Sequence, residues 1–306
     1  MEINRANLDN LFQSYSTAFN GGFTEATPAE GKPNAVKIDR FSMRASVGGA
    51  ATVHGWLETL PRLEKLVGTR QVKNLSSKTM TVRNDEYANA VGVKRNDIAD
   101  DQYGLYAPLI RALGVQARRL WQRLALEALI TGGNWADGAA FFGTTRTYGA
   151  NAISNKTTSA LDETTFAAAV QAMRSYKDSE GEPLEVEPMV LLVGPKLEKT
   201  AFDLVKNTLK TAGTGKGGAV QNWAAGIVEL QVSNRLVGAY DDYWFLLGES
   251  AGLQPVFIQE REQPKLESQD DDGSDAAFLN REFRYGVSAR GASFLTLPHL
   301  AYAGIL

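Results

Sequence analysis

The segment from Trp56 to Gly114 sets three structural patterns end to end, and any fold for this chain must take them in that order. It begins with an amphipathic piece in which Leu57, Leu60, Leu63, Leu66 and Val67 recur at helical intervals. Pro61 keeps that helix short or bent. Two strand-like runs follow, Arg70 to Val82 and Tyr87 to Arg95, and the charged turn Arg83-Asn84-Asp85-Glu86 between them predicts an extended hairpin. Asp97, Asp100 and Asp101 come next, where carboxylates favour the positive N-terminal end of a long helix. That helix is expected from about Tyr103 to Thr131. Leu105, Leu109, Leu113, Leu120, Leu124 and Ala128 form its apolar stripe, and Arg111, Arg118 and Arg123 face outward. At about 1.5 Å per residue it would reach roughly 40 Å. Pro108 fits only near its first turn, Gly114 is expected to weaken or bend it, and Gly132-Gly133 ends it.

The flanking regions mix helix and strand. Leu8, Leu11, Phe12, Tyr15 and Phe19 share one face of a helix over residues 4–19, for which Asn20-Gly21-Gly22 supplies a stop. From Thr24 to Asn34 the chain reads as an extended arm leading to a strand-like run, Ala35 to Val47, which Gly48-Gly49-Ala50-Ala51 breaks. An arm with a helix at its tip either clasps a neighbour or packs on its own domain. A glycine- and aromatic-containing loop continues to about Asn155. Beyond Asp162, helices are expected at Glu163–Lys177 and Lys196–Leu209, with strands at Met189–Val193, Val228–Val232 and Trp244–Leu247. The remainder returns to strand: Pro255–Gln259, Phe283–Ser288 and Ser293–Leu297.

Composition removes several functions. With 306 residues, 43% of them hydrophobic, the chain can bury a sizeable core as two domains or one elaborated domain. No apolar run nears the roughly 18 residues needed to cross a bilayer, and Met1-Glu2-Ile3-Asn4-Arg5 is polar, so neither membrane insertion nor export is expected. The absence of cysteine excludes disulfides, thiolate metal sites and cysteine nucleophiles. It fits the cytoplasm and leaves durability to packing and neighbouring subunits. A net charge of −3 argues against a dedicated nucleic-acid binder. Locally, eight Lys/Arg stand against three Asp/Glu between Arg62 and Arg95, while Asp270-Asp271-Asp272-Gly273-Ser274-Asp275 is acidic. These opposed patches either pair between copies of the chain or are solvated loops.

Motifs that suggest chemistry fail on spacing. Gly213, Gly215 and Gly218 form a G-x-G-x-x-G, but a helix precedes it where a dinucleotide site needs a strand. Lys216 is followed by Gly217, so a phosphate-binding P-loop lacks its Ser/Thr. Arg290 stands where a nucleophile elbow around Ser288 needs its second glycine. His54 and His299 have no metal-ligand partner at helical spacing and read as structural. Read as a calcium loop, the 270–275 cluster puts Leu279 at the bidentate acidic position. No catalytic residue, cofactor or metal site is assigned, and no enzyme activity is expected.

Three pieces of the opening block carry a resemblance: Trp56-Leu57 with Pro61-Arg62-Leu63, Lys73-Asn74-Leu75-Ser76, and the run from Arg95 to Pro108. The start, Asn7 to Phe12 with Phe19 and Gly22-Phe23, and Asp137-Gly138 with Phe141-Phe142 add to it. Together they resemble the Mu-like major head subunit family, the major capsid proteins of Mu-type tailed phages and prophages. After the Phe-Phe pair, where that family usually has acidic and His residues, this chain has Gly143-Thr144-Thr145-Arg146.

The resemblance implies an α+β chain of the HK97-type capsid fold. It would comprise an N-terminal arm (1–44), an E-loop region (45–80), a peripheral domain (81–159) with its spine helix at 103–131, an α/β axial domain (160–252), and strands returning to the peripheral domain (253–306). Function would then be self-assembly into hexamers and pentamers of an icosahedral shell enclosing double-stranded DNA, which the subunit contacts weakly and non-specifically. The implied setting is the virion, assembled in the host bacterial cytoplasm with a separately encoded scaffold/protease, a portal protein and a decoration protein. Intersubunit contacts are expected at Trp56, Pro61, Arg62, Arg70, Lys73, Asp270, Asp271 and Asp272. Two other readings stand beside it: a small soluble α/β hydrolase or nucleotide-binding enzyme built on residues 160–250, and a related shell protein of a cellular nanocompartment.

Overall fold

The computed structural model describes residues 5–24, 32–57, 77–99, 106–211, 219–271 and 275–306. Helix α1 (Arg5–Thr24) runs through Asn20-Gly21-Gly22, its expected stop, because Phe23 stacks on Phe19 with ring centroids 6.0 Å apart. In place of one strand over Ala35–Val47 there is a single 3-10 turn, Ile38–Arg40, and strand β1 (Ser42–Ser46). The turn is fixed by Lys37 and Arg40, which donate to Glu229 at 2.8 and 3.1 Å. Their bonds, Lys37's foremost, hold that carboxyl below its usual range.

Strand β2 (Ala51–Leu57) pairs antiparallel with β3 (Ser77–Arg83), so that Ala51 faces Arg83 and Leu57 faces Ser77. Strand β4 (Asp85–Lys94) belongs to a different sheet, so the expected hairpin of Arg70–Val82 with Tyr87–Arg95 does not form. Only Asn84 separates β3 from β4, too few residues to reverse the chain. Its N–H bonds Ala50 O at 3.0 Å and its Nδ2 bonds Gly49 O at 2.8 Å, which turns the chain out of one sheet and into the next. Paired elsewhere, β4 packs Val91 and Val93 into a cluster with Phe283 and Tyr285.

After the short α2 (Arg95–Ala99), the expected single helix appears as α3 (Tyr106–Arg118) and α4 (Leu120–Thr131). They join through Arg119 (φ −76°, ψ −4°), with the ladder kept by Arg119 N–H to Val115 O and Arg123 N–H to Arg119 O. The break is therefore not at Pro108, which lies in the first turn of α3, nor at Gly114. Gly114 serves packing: a Cβ there would stand 2.3 Å from Phe19 O, and one on Gly22 would stand 2.1 Å from Arg111 O. Thus α1 and α3 meet backbone to backbone on the same chain, and Leu8, Tyr15, Phe19, Ile110 and Leu113 bury together. Gly114→Leu is expected to lever α1 away at a cost of about 1–3 kcal/mol. Faster hydrogen exchange confined to residues 5–24 would show it, and unchanged exchange there would refute it.

The rest of the chain builds a second layer. It contains β5 (Arg146–Tyr148), β6 (Asn151–Ile153), β7 (Lys156–Thr157), α5 (Glu163–Ser175), β8 (Glu187–Val193) and α6 (Glu198–Val205). Then come β9 (Leu209–Thr211), β10 (Ala219–Gln221), β11 (Glu229–Val232) and β12 (Trp244–Glu249). Asp162 caps α5 reciprocally, accepting from Thr165 N–H at 2.7 Å while Thr165 Oγ1 accepts from Asp162 N–H at 2.9 Å. The chain ends with β13 (Val256–Gln269), α7 (Asp275–Asn280), β14 (Glu282–Leu295) and β15 (Ala301–Gly304). Residues 283–288 and 293–297, expected as separate strands, lie largely within the continuous 14-residue β14, and 255–259 opens the equally long β13.

The two main sheets have orders β1-β13-β14-β4 and β11-β8-β12-β15-β7. In the first only β1 and β13 run parallel; in the second, β11 with β8 and β15 with β7 do. Strand β15 departs from the expectation that all of 253–306 returns to the first sheet. Its four residues are wholly buried, and Tyr302 stacks on Trp244 of β12 with centroids 5.9 Å apart. One core runs through both sheets, from Phe41, Trp121 and Phe294 to Phe166, Trp244 and Tyr302.

Candidate assembly surfaces

The β2–β3 ribbon leaves the body of the protein from a pinned root. Alternate residues Thr52, His54, Met80 and Val82 are half-buried, whereas Val53 on the other face is 63% exposed. His54 lies against the rings of Phe257 and Phe294, at 5.1 and 4.7 Å between centroids. Its Nε2 is 2.8 Å from Oε1 of Gln259. Gln259 is fully buried and donates through Nε2 to Asn84 Oδ1 at 2.6 Å. Gly49, Asn84, Gln259 and His54 thus form one hydrogen-bonded line from the chain's entry into the ribbon, across the first sheet, to β2. In sequence His54 reads as structural, in agreement with this packing; Gln259 and Asn84 carried no signal, because a polar residue in a strand shows its partner only once the strands are registered.

The expected contact residues fall in two places. The backbone of Trp56 lies in β2 opposite Lys78. Pro61, Arg62, Arg70, Lys73 and Asp272 lie outside the described residues, as do the amphipathic piece beyond Leu57, Asp100 and Asp101, and the glycine loop at 213–218. Asp270 is half-buried and accepts from Ser268 Oγ at 3.2 Å, and Asp271 is exposed. These aspartates follow the far end of β13, about 35 Å along the strand from Gln259. The ribbon root and the acidic turn therefore occupy opposite ends of the first sheet.

The loop after α4, through Gly143-Thr144-Thr145-Arg146, has its own closure. Arg146, whose side chain is 4% exposed, bonds Asp137 and donates from Nη2 to Ala140 O at 2.7 Å. Its guanidinium also lies over the Trp135 ring at 5.1 Å. The other histidine, His299, is buried with Nδ1 3.2 Å from the Tyr148 hydroxyl, and burial pushes it down to about 3, so it is neutral. Ser288 is a residue of β14. Among the described residues no group of three or more His, Asp or Glu is placed to hold a metal, and no helix is long and apolar enough to cross a membrane.

A four-stranded sheet that carries a two-stranded ribbon, a broken helix across it and a five-stranded α/β layer sharing its core are the parts of the HK97-type capsid fold. A chain from the procapsid of bacteriophage JBD30 has this fold, with a TM-score of 0.57 at 22% identity over 99% of this chain and 76% of that one. Within the class, this chain belongs to the Mu-like prophage major head subunit gpT family, whose model matches residues 8–161, 145–236 and 222–304. It is 25% identical over 255 residues to the Mu-like prophage FluMu major head subunit of Haemophilus influenzae, covering 82% of this chain and 61% of that protein. It is 23% identical over 293 residues to the major capsid protein of Escherichia phage Mu, covering 96% of this chain and 72% of that one.

Proposed function

We propose that this chain is the major capsid subunit of a Mu-like tailed phage or prophage, whose copies form hexamers and pentamers that close an icosahedral shell around double-stranded DNA. The supporting observation is the family match across residues 8–304 together with the HK97-type fold of the described residues. A closed shell requires one chain to present complementary patches again and again. Gln259 holds the root of the β2–β3 ribbon, and the chain between its two strands is where we place the contact with a neighbour. We assign those contacts to Trp56, Pro61, Arg62, Arg70 and Lys73, with Asp270, Asp271 and Asp272 as an acidic surface elsewhere. Apolar burial supplies the energy and the charges set register. The role is structural, not enzymatic. A scaffold/protease, a portal and a decoration protein are the partners during assembly in the host cytoplasm, and the product is the virion. With a net charge of −3, contact with the enclosed DNA is weak and independent of sequence.

Electron microscopy of the purified chain tests the reading: closed shells, tubes or capsomer rings are expected, and a strict monomer at all concentrations would overturn it. Arg70→Glu combined with Lys73→Glu is expected to lower the yield of closed particles on the order of tenfold or more while the subunit melts as before. A normal particle yield would remove those two residues from the interface.

A further inference from the structure

At the break between α3 and α4 the structure forms a cleft of about 230 Å³ that the shell-building role does not use. Arg119 and Arg123 enter it from the helices, Arg235 from the loop after β11, and Tyr87 and Asn89 from β4, with Gln116 on the helical wall. No carboxylate is among its lining residues. Arg119 and Arg235 have no ion-pair partner among the described residues, whereas Arg123 pairs with Glu127 at 3.7 Å and lies over the Tyr87 ring at 5.9 Å. The Arg123 Nε is buried without a hydrogen-bond partner, a state that native proteins seldom tolerate. With Glu127 beside Arg123, it is the charges of Arg119 and Arg235 that stay uncompensated at this cleft, and an anion there would meet both.

We propose that this cleft is a binding site for a phosphate group, held by Arg119, Arg123 and Arg235. Phosphate fits better than carboxylate on geometric grounds. One arginine fork satisfies the two coplanar oxygens of a carboxylate, whereas three guanidiniums arriving from separate elements match the several oxygens of a tetrahedral oxyanion. The remaining polar groups in the lining also offer donors. Burial, with Asp85 adding to it, holds the Tyr87 hydroxyl above its ordinary pKa, so it keeps its proton to give. Because Arg235 comes from the five-stranded layer and the other two from the helices on the four-stranded sheet, a bound phosphate ties the layers together. The source is either a nucleic-acid backbone or a small free phosphate, and the site goes beyond the shell reading without depending on it.

The test is thermal melting of the full chain at constant ionic strength with three probes: pyrophosphate, a short DNA duplex and polyglutamate. Pyrophosphate or the duplex is expected to raise the melting temperature by roughly 3–5 °C at a hundredfold excess over Kd. The rise should be lost in Arg119→Gln with Arg235→Gln. A shift with the duplex alone assigns the backbone of a nucleic acid; a shift with pyrophosphate assigns small phosphates. An equal shift in the double variant, an equal shift with polyglutamate, or no shift with either phosphate probe overturns the site. Should the double variant fold poorly, Arg235→Gln alone, at an exposed position, carries the same comparison by calorimetric titration with pyrophosphate.

Discussion

The Asn155→Asp subunit is expected to melt on the order of 10 °C below the parent chain at neutral pH. Asn155 is fully buried, and its Nδ2 shares two hydrogens among the carbonyls of Phe141, Pro298 and Ala301 at 3.1, 2.8 and 3.2 Å. Its Oδ1 accepts from Gly143 N–H at 2.9 Å, and its backbone bonds both Gly143 and Ala303. One side chain therefore joins the loop after α4, the turn before β15 and β15 itself. A carboxylate of the same shape turns an oxygen toward three carbonyls and places a charge where water cannot reach it, at a cost of about 3–5 kcal/mol. Burial raises the pKa of the introduced acid in the folded state, so the folded chain holds the extra proton and the deficit shrinks as pH falls. Asn155→Leu loses the same bonds without a charge, so its deficit should carry no such pH dependence. Equal melting of the aspartate variant and the parent at pH 8 would refute the account.

Asn155 also shows where sequence reading stops. Leu113, Leu120 and Leu124 of the stripe were legible because helical period is a local property, and so were the buried strands around Leu191 and Leu246; Leu109 is 53% exposed instead, and Ile110 takes the buried place in its turn. Strand partners were not. Residues 77–83 follow the same alternating pattern whether they pair forward with 87–95 or back with 51–57, and the pairing was decided by Asn84 and by the need to bury Val93. Gly114 was misread for a related reason. Helix propensity counts the cost of a missing side chain but not the gain when another helix lies 2.3 Å from where that side chain would be. The root of the β2–β3 ribbon was not legible, because the hydrogen-bonded line through Gln259 that holds it joins residues 175 and 205 positions apart.

Acidification is expected to destabilise the subunit well before its carboxylates protonate, and His299 is the cause. The imidazole is buried against Tyr148, and its pKa falls from 6.5 to about 3 because burial penalises the charged form. The unfolded chain takes up this proton near pH 6.5 and the folded chain does not, so between those two values the unfolded state binds one proton more. Stability is fully present above about pH 6.5 and declines as pH falls, approaching a slope of about 1.4 kcal/mol per pH unit. Carboxylates act lower. Asp162 and Glu229 have folded pKa values below their ordinary ones, the first through the Thr165 N–H and the second through Lys37, so their contributions fade only below about pH 4.5. Across about pH 5 to 6.5, the part of the decline that disappears when His299 is replaced is therefore this ring's contribution. Replacing it by His299→Phe should lower stability at pH 8, because the Tyr148 hydroxyl loses its partner, yet flatten the decline across that interval. Denaturant titrations of both chains at pH 8, 6.5 and 5 measure the two slopes. Parallel slopes would show that the ring is protonated within the fold and that the loss on acidification comes from elsewhere in the chain.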